Sequence, residues 1–205
     1  MPRAAAALTA LICWAALGIR FAVTNAGTHD PLATLWILAR FFTITTNLAV
    51  AVAMTIVAFG KPLSDFVLGG LTLAILLVGI VYALLLAKLY HLTGGALVAD
   101  TLMHKVSPVA MTLYWFVFAP HSRLRWSAPW WWALYPIGYF AYALGRGASD
   151  GLYPYPFMDV GKIGLQSSLI NAALIAAAFV VVGEVLVWLD RQVLGRAALM
   201  SKAPS

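Results

Sequence analysis

The sequence predicts an all-α polytopic membrane protein, a single domain built as a bundle of about six transmembrane helices. Composition is the first reason. Of 205 residues, 63% are hydrophobic and only 10% are charged, whereas a soluble domain carries roughly 25% charged residues. So few charges cannot coat a soluble core, which leaves the bilayer as the solvent. The second reason is run length, because a span needs roughly 20 apolar residues and several uncharged stretches approach or reach that length. The third is continuity: the apolar runs do not alternate, which argues against a β-barrel.

The spans fall at about 4–23, 32–59, 66–90, 101–120, 128–147 and 161–189. Phe66 to Ala87, Ala128 to Gly145 and Ile163 to Gly183 hold no charge at all. Ala4 to Ile19 is shorter, but Arg3 and Arg20 can snorkel outward from its ends. Arg20 also speaks against a cleaved signal peptide, because it interrupts the region between apolar run and cleavage site. The second span holds Arg40, and the fourth holds His104 and Lys105 near its start. Connections are short, and the longest carries Tyr153-Pro154-Tyr155-Pro156-Phe157, whose prolines deny it regular helix. No internal repeat signals an inverted-repeat transporter.

The net charge of +6 does not indicate a nucleic-acid binder, because the basic residues are spread over many loops. They report topology instead. Arg3, Lys61, Arg123, Arg125, Arg191, Arg196 and Lys202 collect on one side, against Arg20, Lys88, Lys105, Arg146 and Lys162 on the other. The excess places both termini in the cytoplasm and the chain in the cell membrane. Trp126, Trp130, Trp131 and Trp132 read as an interfacial anchor. The single cysteine, Cys13, lacks partners for a disulfide or a Cys-based metal site and reads as a small buried apolar residue. No metal and no cofactor is expected. Expected partners are membrane lipids, with oligomeric state left open.

Ionisable residues inside a membrane are costly and mark function by default. Two stretches qualify. In Arg40-Phe41-Phe42-Thr43-Ile44-Thr45-Thr46-Asn47, helical spacing puts Arg40, Thr43 and Asn47 on one face. Packing glue is the plainer reading for the threonines, but not for Arg40. In Asp100-Thr101-Leu102-Met103-His104-Lys105-Val106-Ser107, Asp100, His104 and Ser107 share a face, so the carboxylate can fix the imidazole tautomer. Serving the N-terminus of that helix, as a cap or through its dipole, is the plainer single role for Asp100. A helix starting at Leu32 puts Thr43 about 16 Å deep, while His104 lies a turn below its own helix start, so the depths match only if helix two begins late, near Trp36, or the start of helix four is recessed. Glu184 and Arg191, seven residues apart in the last span, read as a structural pair.

Together these segments resemble the androgen-induced and androgen-dependent family of membrane hydrolases, in what looks like a shorter bacterial branch. Arg40-Phe41-Phe42-Thr43 is similar to the family's basic–aromatic–apolar–Thr stretch, and Leu102-Met103-His104 to the stretch carrying its histidine. Gly151-Leu152-Tyr153-Pro154-Tyr155-Pro156-Phe157-Met158-Asp159 resembles its Gly-x-x-x-Tyr-Pro-Phe-Leu-Glu loop, and Gly183-Glu184-Val185-Leu186 its Gly-Glu-Val-Leu. The residues after His104 depart from the family's threonines. The resemblance implies hydrolysis of fatty acid esters of hydroxy fatty acids inside the bilayer, with Thr43 as nucleophile and His104 as base. Asp100 is then the candidate to orient His104, Arg40 or Asn47 to supply a donor to the oxyanion, Arg40 equally to hold a substrate carboxylate, and Tyr153 and Tyr155 to close the mouth. A six-helix transporter or channel, a haem protein using two histidines and a purely structural bundle are the competing classes.

Overall fold

The computed structural model describes residues 1–89, 91–121 and 124–194. Arg123, Arg196 and Lys202, which enter the topology count, lie outside them. The protein is all-helical, with no strand among the described residues. Among the described residues three helices are long and apolar enough to cross a membrane, Pro2–Thr28, Asp65–Leu86 and Val160–Gln192, and the bent pair Pro31–Leu38 and Phe42–Ala58 makes a fourth if it counts as one. The chain divides into two compact units, Met1–His121 and Ser122–Ser205.

In the first unit, α1 (Pro2–Thr28) buries Ala6, Thr9, Ala10, Cys13 and Ala16. These small side chains recur at helical spacing and let neighbouring backbones approach closely. Asp30 caps α2 (Pro31–Leu38), its carboxylate accepting from the N–H groups of Leu32 at 2.8 Å and Ala33 at 3.2 Å, with Pro31 preset for the first turn. The next helix, α3 (Phe42–Ala58), leaves α2 at 100°. The continuous second helix expected over 32–59 is therefore two helices. Phe41, extended at φ −97° and ψ 129°, is the corner. Arg40 sits in that corner, 7% exposed, where the break keeps its charge within protein.

Ser64 caps α4 (Asp65–Val81) through the Val67 N–H at 3.3 Å, and the helix runs on into a π-helical turn, Tyr82–Leu86. After Thr93, α5 (Gly94–Thr101) passes through a second π-helical turn, Leu102–Val106, into α6 (Ser107–Phe118). This helix begins seven residues before the expected 101, so Thr93, not Asp100, is its N-cap. Asp100 is an interior residue. The second π turn has a local cause. Pro108 supplies no N–H and its ring crowds the carbonyl of residue 104, and the Ser107 N–H reaches back to Leu102. Trp115, Met54, Leu73, Ile75 and Met111 fill the core.

The second unit holds α7 (Ala128–Trp132), α8 (Leu134–Asp150) and α9 (Val160–Trp188), with a short 3-10 turn at Pro156–Met158 and a terminal π-helical segment at Leu189–Leu194. Gly164, at φ 77° and ψ 157°, kinks α9 near its start, a conformation open to glycine. Asn171 donates to the Phe157 carbonyl at 2.8 Å and Ser168 to Met158 at 3.4 Å, tying the 153–158 connection to α9. The expected Glu184–Arg191 pair does not form. Arg191 donates to the Leu124 carbonyl at 2.7 Å, while buried Asp190 accepts from the Leu124 N–H at 3.1 Å. Trp126, Trp130 and Trp131 are exposed, whereas Trp132 is buried.

Candidate active site

The corner between α2 and α3 sets the depth of Thr43. Because α3 starts at Phe42, Thr43 lies in its first turn, at the positive end of the helix. Across from it runs the helix holding His104, which lies about 15 Å along the axis from Gly94. Both helix starts differ from those expected, α3 beginning at Phe42 and α5 at Gly94, and the two side chains meet.

Thr43 Oγ1 lies 3.2 Å from His104 Nε2. The other ring nitrogen, Nδ1, is 3.0 Å from Asp100 Oδ1 and 3.1 Å from the Asp100 carbonyl oxygen. Both neighbours are acceptors, so the geometry assigns the ring proton to Nδ1 and leaves Nε2 to accept from the Thr43 hydroxyl. The side chains of His104 and Asp100 are 14% and 13% exposed, and Thr43 is 7% exposed. Asp100 has a second donor, the hydroxyl of Tyr82, 2.6 Å from its Oδ2. The Tyr82 ring lies parallel to the imidazole, centroids 4.2 Å apart and planes 15° apart. Lys105 places its ammonium 5.9 Å from the centre of the Tyr82 ring.

Three separate elements therefore meet here: the first turn of α3 brings Thr43, and each of the two π-helical turns presents an aromatic ring. In an α-helix, Asp100 and His104 would already share a face. The wider turn at Leu102–Val106 carries the imidazole between Tyr82 and Thr43, and π-helical turns frequently occur at functional positions.

Asn47 lies beside the site but is fully buried and already engaged. Its Nδ2 donates to the carbonyls of Thr43 at 2.9 Å and Met103 at 3.4 Å. It fastens α3 to the His104 helix and has no donor left for an oxyanion, which corrects that expectation. Arg40 sits at the corner rather than on the Thr43 face of a common helix. Ser107 points elsewhere, its Oγ 3.5 Å from buried Cys13. Tyr153 and Tyr155 belong to the second unit. Tyr153 packs over Gly147, where a Cβ would find no room, and Tyr155 stacks on Phe157 at 5.2 Å. No group of three or more His, Cys, Asp or Glu among the described residues is placed to hold a metal ion.

Tyr82 was not singled out in the sequence, although a signal exists. It is a tyrosine inside the uncharged run Phe66 to Ala87, and a tyrosine hydroxyl buried there requires a partner.

No family model, curated protein or solved structure matches this chain.

Proposed function

We propose that the protein is an intramembrane lipid-ester hydrolase with six spans in the cell membrane and both termini in the cytoplasm, using Thr43 as nucleophile and His104 as base. The observation that carries this reading is the Thr43–His104–Asp100 chain of contacts. It has the logic of an activated nucleophile: hydroxyl, base within hydrogen-bond reach, and a third group orienting the base. A hydroxyl is a weak nucleophile at its own pKa, and a bare imidazole nitrogen 3.2 Å away is what corrects that.

The reaction balances as two acyl transfers. The Thr43 proton passes to His104 Nε2 as Oγ1 bonds to the ester carbonyl carbon. The tetrahedral intermediate collapses, the alcohol C–O bond breaks, and His104 returns the proton to the departing alkoxide. Water then gives a proton to His104 and attacks the acyl-threonine. Its collapse releases the carboxylic acid, and Thr43 regains its proton. The oxyanion is stabilised by the positive end of α3, the part first assigned to Arg40 or Asn47. Arg40, the cation nearest to Thr43 in sequence, holds a carboxylate of the substrate. A fatty acid ester of a hydroxy fatty acid carries both groups, and membrane lipids deliver it.

The test is covalent labelling of the detergent-purified protein by a fluorophosphonate. Wild type is expected to label at Thr43, as located by mass spectrometry. Thr43→Ala and His104→Ala, with unchanged size-exclusion profiles, are expected to stay unlabelled. Equal labelling of all three removes Thr43 as the nucleophile. Folded wild-type protein that neither labels nor cleaves lipid esters, yet conducts solute in proteoliposomes, replaces hydrolysis with a transport path.

A further inference from the structure

We infer that Tyr82 is a positioning residue of this site, acting on the base through Asp100. The inference rests on the hydrolase reading for its consequence in catalysis, but the device is geometric. Asp100 has two carboxylate oxygens with one task each. Oδ1 takes the imidazole Nδ1 proton at 3.0 Å, and Oδ2 takes the Tyr82 hydroxyl at 2.6 Å. A carboxylate held by one donor can pivot about its side-chain torsions. Held by two, on opposite oxygens, it has one orientation left, and the imidazole proton it accepts is fixed on Nδ1.

Tyr82 also acts on the ring itself. At 4.2 Å and 15° its ring covers one face of the imidazole, blocking rotation about the last side-chain bond of His104 and keeping water off that face. The same side chain thus constrains the base twice, by stacking and through its hydroxyl. The two functions separate cleanly, because Tyr82→Phe removes the hydroxyl and leaves the stack. Lys105 is the other charged group facing this pair, with its ammonium 5.9 Å from the Tyr82 ring centre. It stands on the exposed side.

The experiment uses the full chain in detergent, labelled with 15N-histidine, with the His104 signals identified by their loss in His104→Gln. In wild type the neutral His104 ring is expected to carry its proton on Nδ1 alone. In Tyr82→Phe both neutral tautomers are expected, and the rate of fluorophosphonate labelling falls about ten-fold, the scale of one hydrogen bond to a charged group. In an Asp100→Ala background Tyr82→Phe is expected to cost nothing further, since contacts that act through one another are not additive.

Three results overturn the inference: a wild-type ring that already populates both tautomers, a Tyr82→Phe protein with wild-type tautomer and labelling rate, or the same rate loss with and without Asp100. A wild-type protein that shows the single tautomer, loses it in Tyr82→Phe and neither labels nor cleaves a lipid ester preserves the positioning role and removes the hydrolase reading. The two failures are therefore distinct.

Discussion

Thr43 Oγ1 and His104 Nε2 stand 3.2 Å apart, although 61 positions separate the residues in sequence. The contact exists because α3 begins one residue before Thr43 and because a π-helical turn carries His104. A straight helix over 32–59 would set Thr43 about ten residues farther along its axis than α3 does, roughly 15 Å.

The hydroxyl, rather than the shape of residue 43, is expected to matter. Thr43→Val is nearly isosteric and is expected to abolish labelling by a fluorophosphonate while the protein keeps its stability to within about 1 kcal/mol, read from its thermal midpoint. Thr43→Ser keeps the oxygen and removes the β-methyl that crowds attack. It is expected to label at least as fast as wild type. A serine variant that is inert while remaining folded would show that Thr43 is only a hydrogen-bonding neighbour of His104.

Asp100→Asn tests the orientation of the base. The asparagine retains the size of Asp100 but can donate to Nδ1, which moves the imidazole proton to Nε2 and removes the acceptor facing Thr43. Turnover of a lipid ester is expected to fall on the order of 10²- to 10⁴-fold with KM little changed, the pattern of a lost proton-transfer step. Single-turnover kinetics separates the two parameters. An equal loss in turnover and substrate affinity would instead mark a general distortion of the helix.

These three residues are visible in the sequence because hydroxyl and ionisable groups within apolar runs are conspicuous. The all-helical fold is visible for the complementary reason, since long uncharged stretches leave helices as the economical way to satisfy the backbone. The corner at Phe41 is not visible. Neither proline nor glycine marks it, and Arg40-Phe41-Phe42 reads as well in a helix as out of one. The start of α5 is hidden by Gly94-Gly95, which reads as a loop and instead opens the helix, Gly94 at φ +56°. Tyr82 is hidden differently. One aromatic residue in an aliphatic run carries no sign of its partner until α4 and α5 are seen side by side.

Asn47 is expected to be a stability residue. It is fully buried, and its amide binds the carbonyls of Thr43 and Met103 across two helices. Asn47→Ala leaves the Met103 carbonyl without that donor and opens a small void. A loss of about 1–3 kcal/mol is expected, read as a lower thermal midpoint in detergent. Asn47→Asp is expected to be worse, because it replaces both donated hydrogens with acceptors facing carbonyl oxygens. If Asn47→Ala leaves the thermal midpoint unchanged and lowers only turnover, Asn47 belongs in the reaction after all.

Gly79 is expected to control the site from behind. A Cβ there would stand 3.3 Å from both Cβ and Cγ of Pro108 and 3.4 Å from the carbonyl oxygen of His104. Proline and a backbone carbonyl cannot swing aside as a flexible side chain can, so Gly79→Ala must push α4 away from the π-helical turn. Tyr82 lies three residues farther along the same helix, and the displacement is expected to loosen its stack on His104. The expected result is a loss of about 1–3 kcal/mol from overpacking, together with slower labelling of Thr43. Gly18→Ala is the matched control. A Cβ at Gly18 meets nothing within 4 Å, so the same change inside α1 is expected to be neutral or stabilising by about 0.5–1 kcal/mol. Thermal midpoints and labelling rates of the two variants, measured in one detergent, decide the matter. A Gly79→Ala protein that behaves like Gly18→Ala would mean that α4 is free to shift, and that the distance from Tyr82 to His104 is not fixed by the packing behind it.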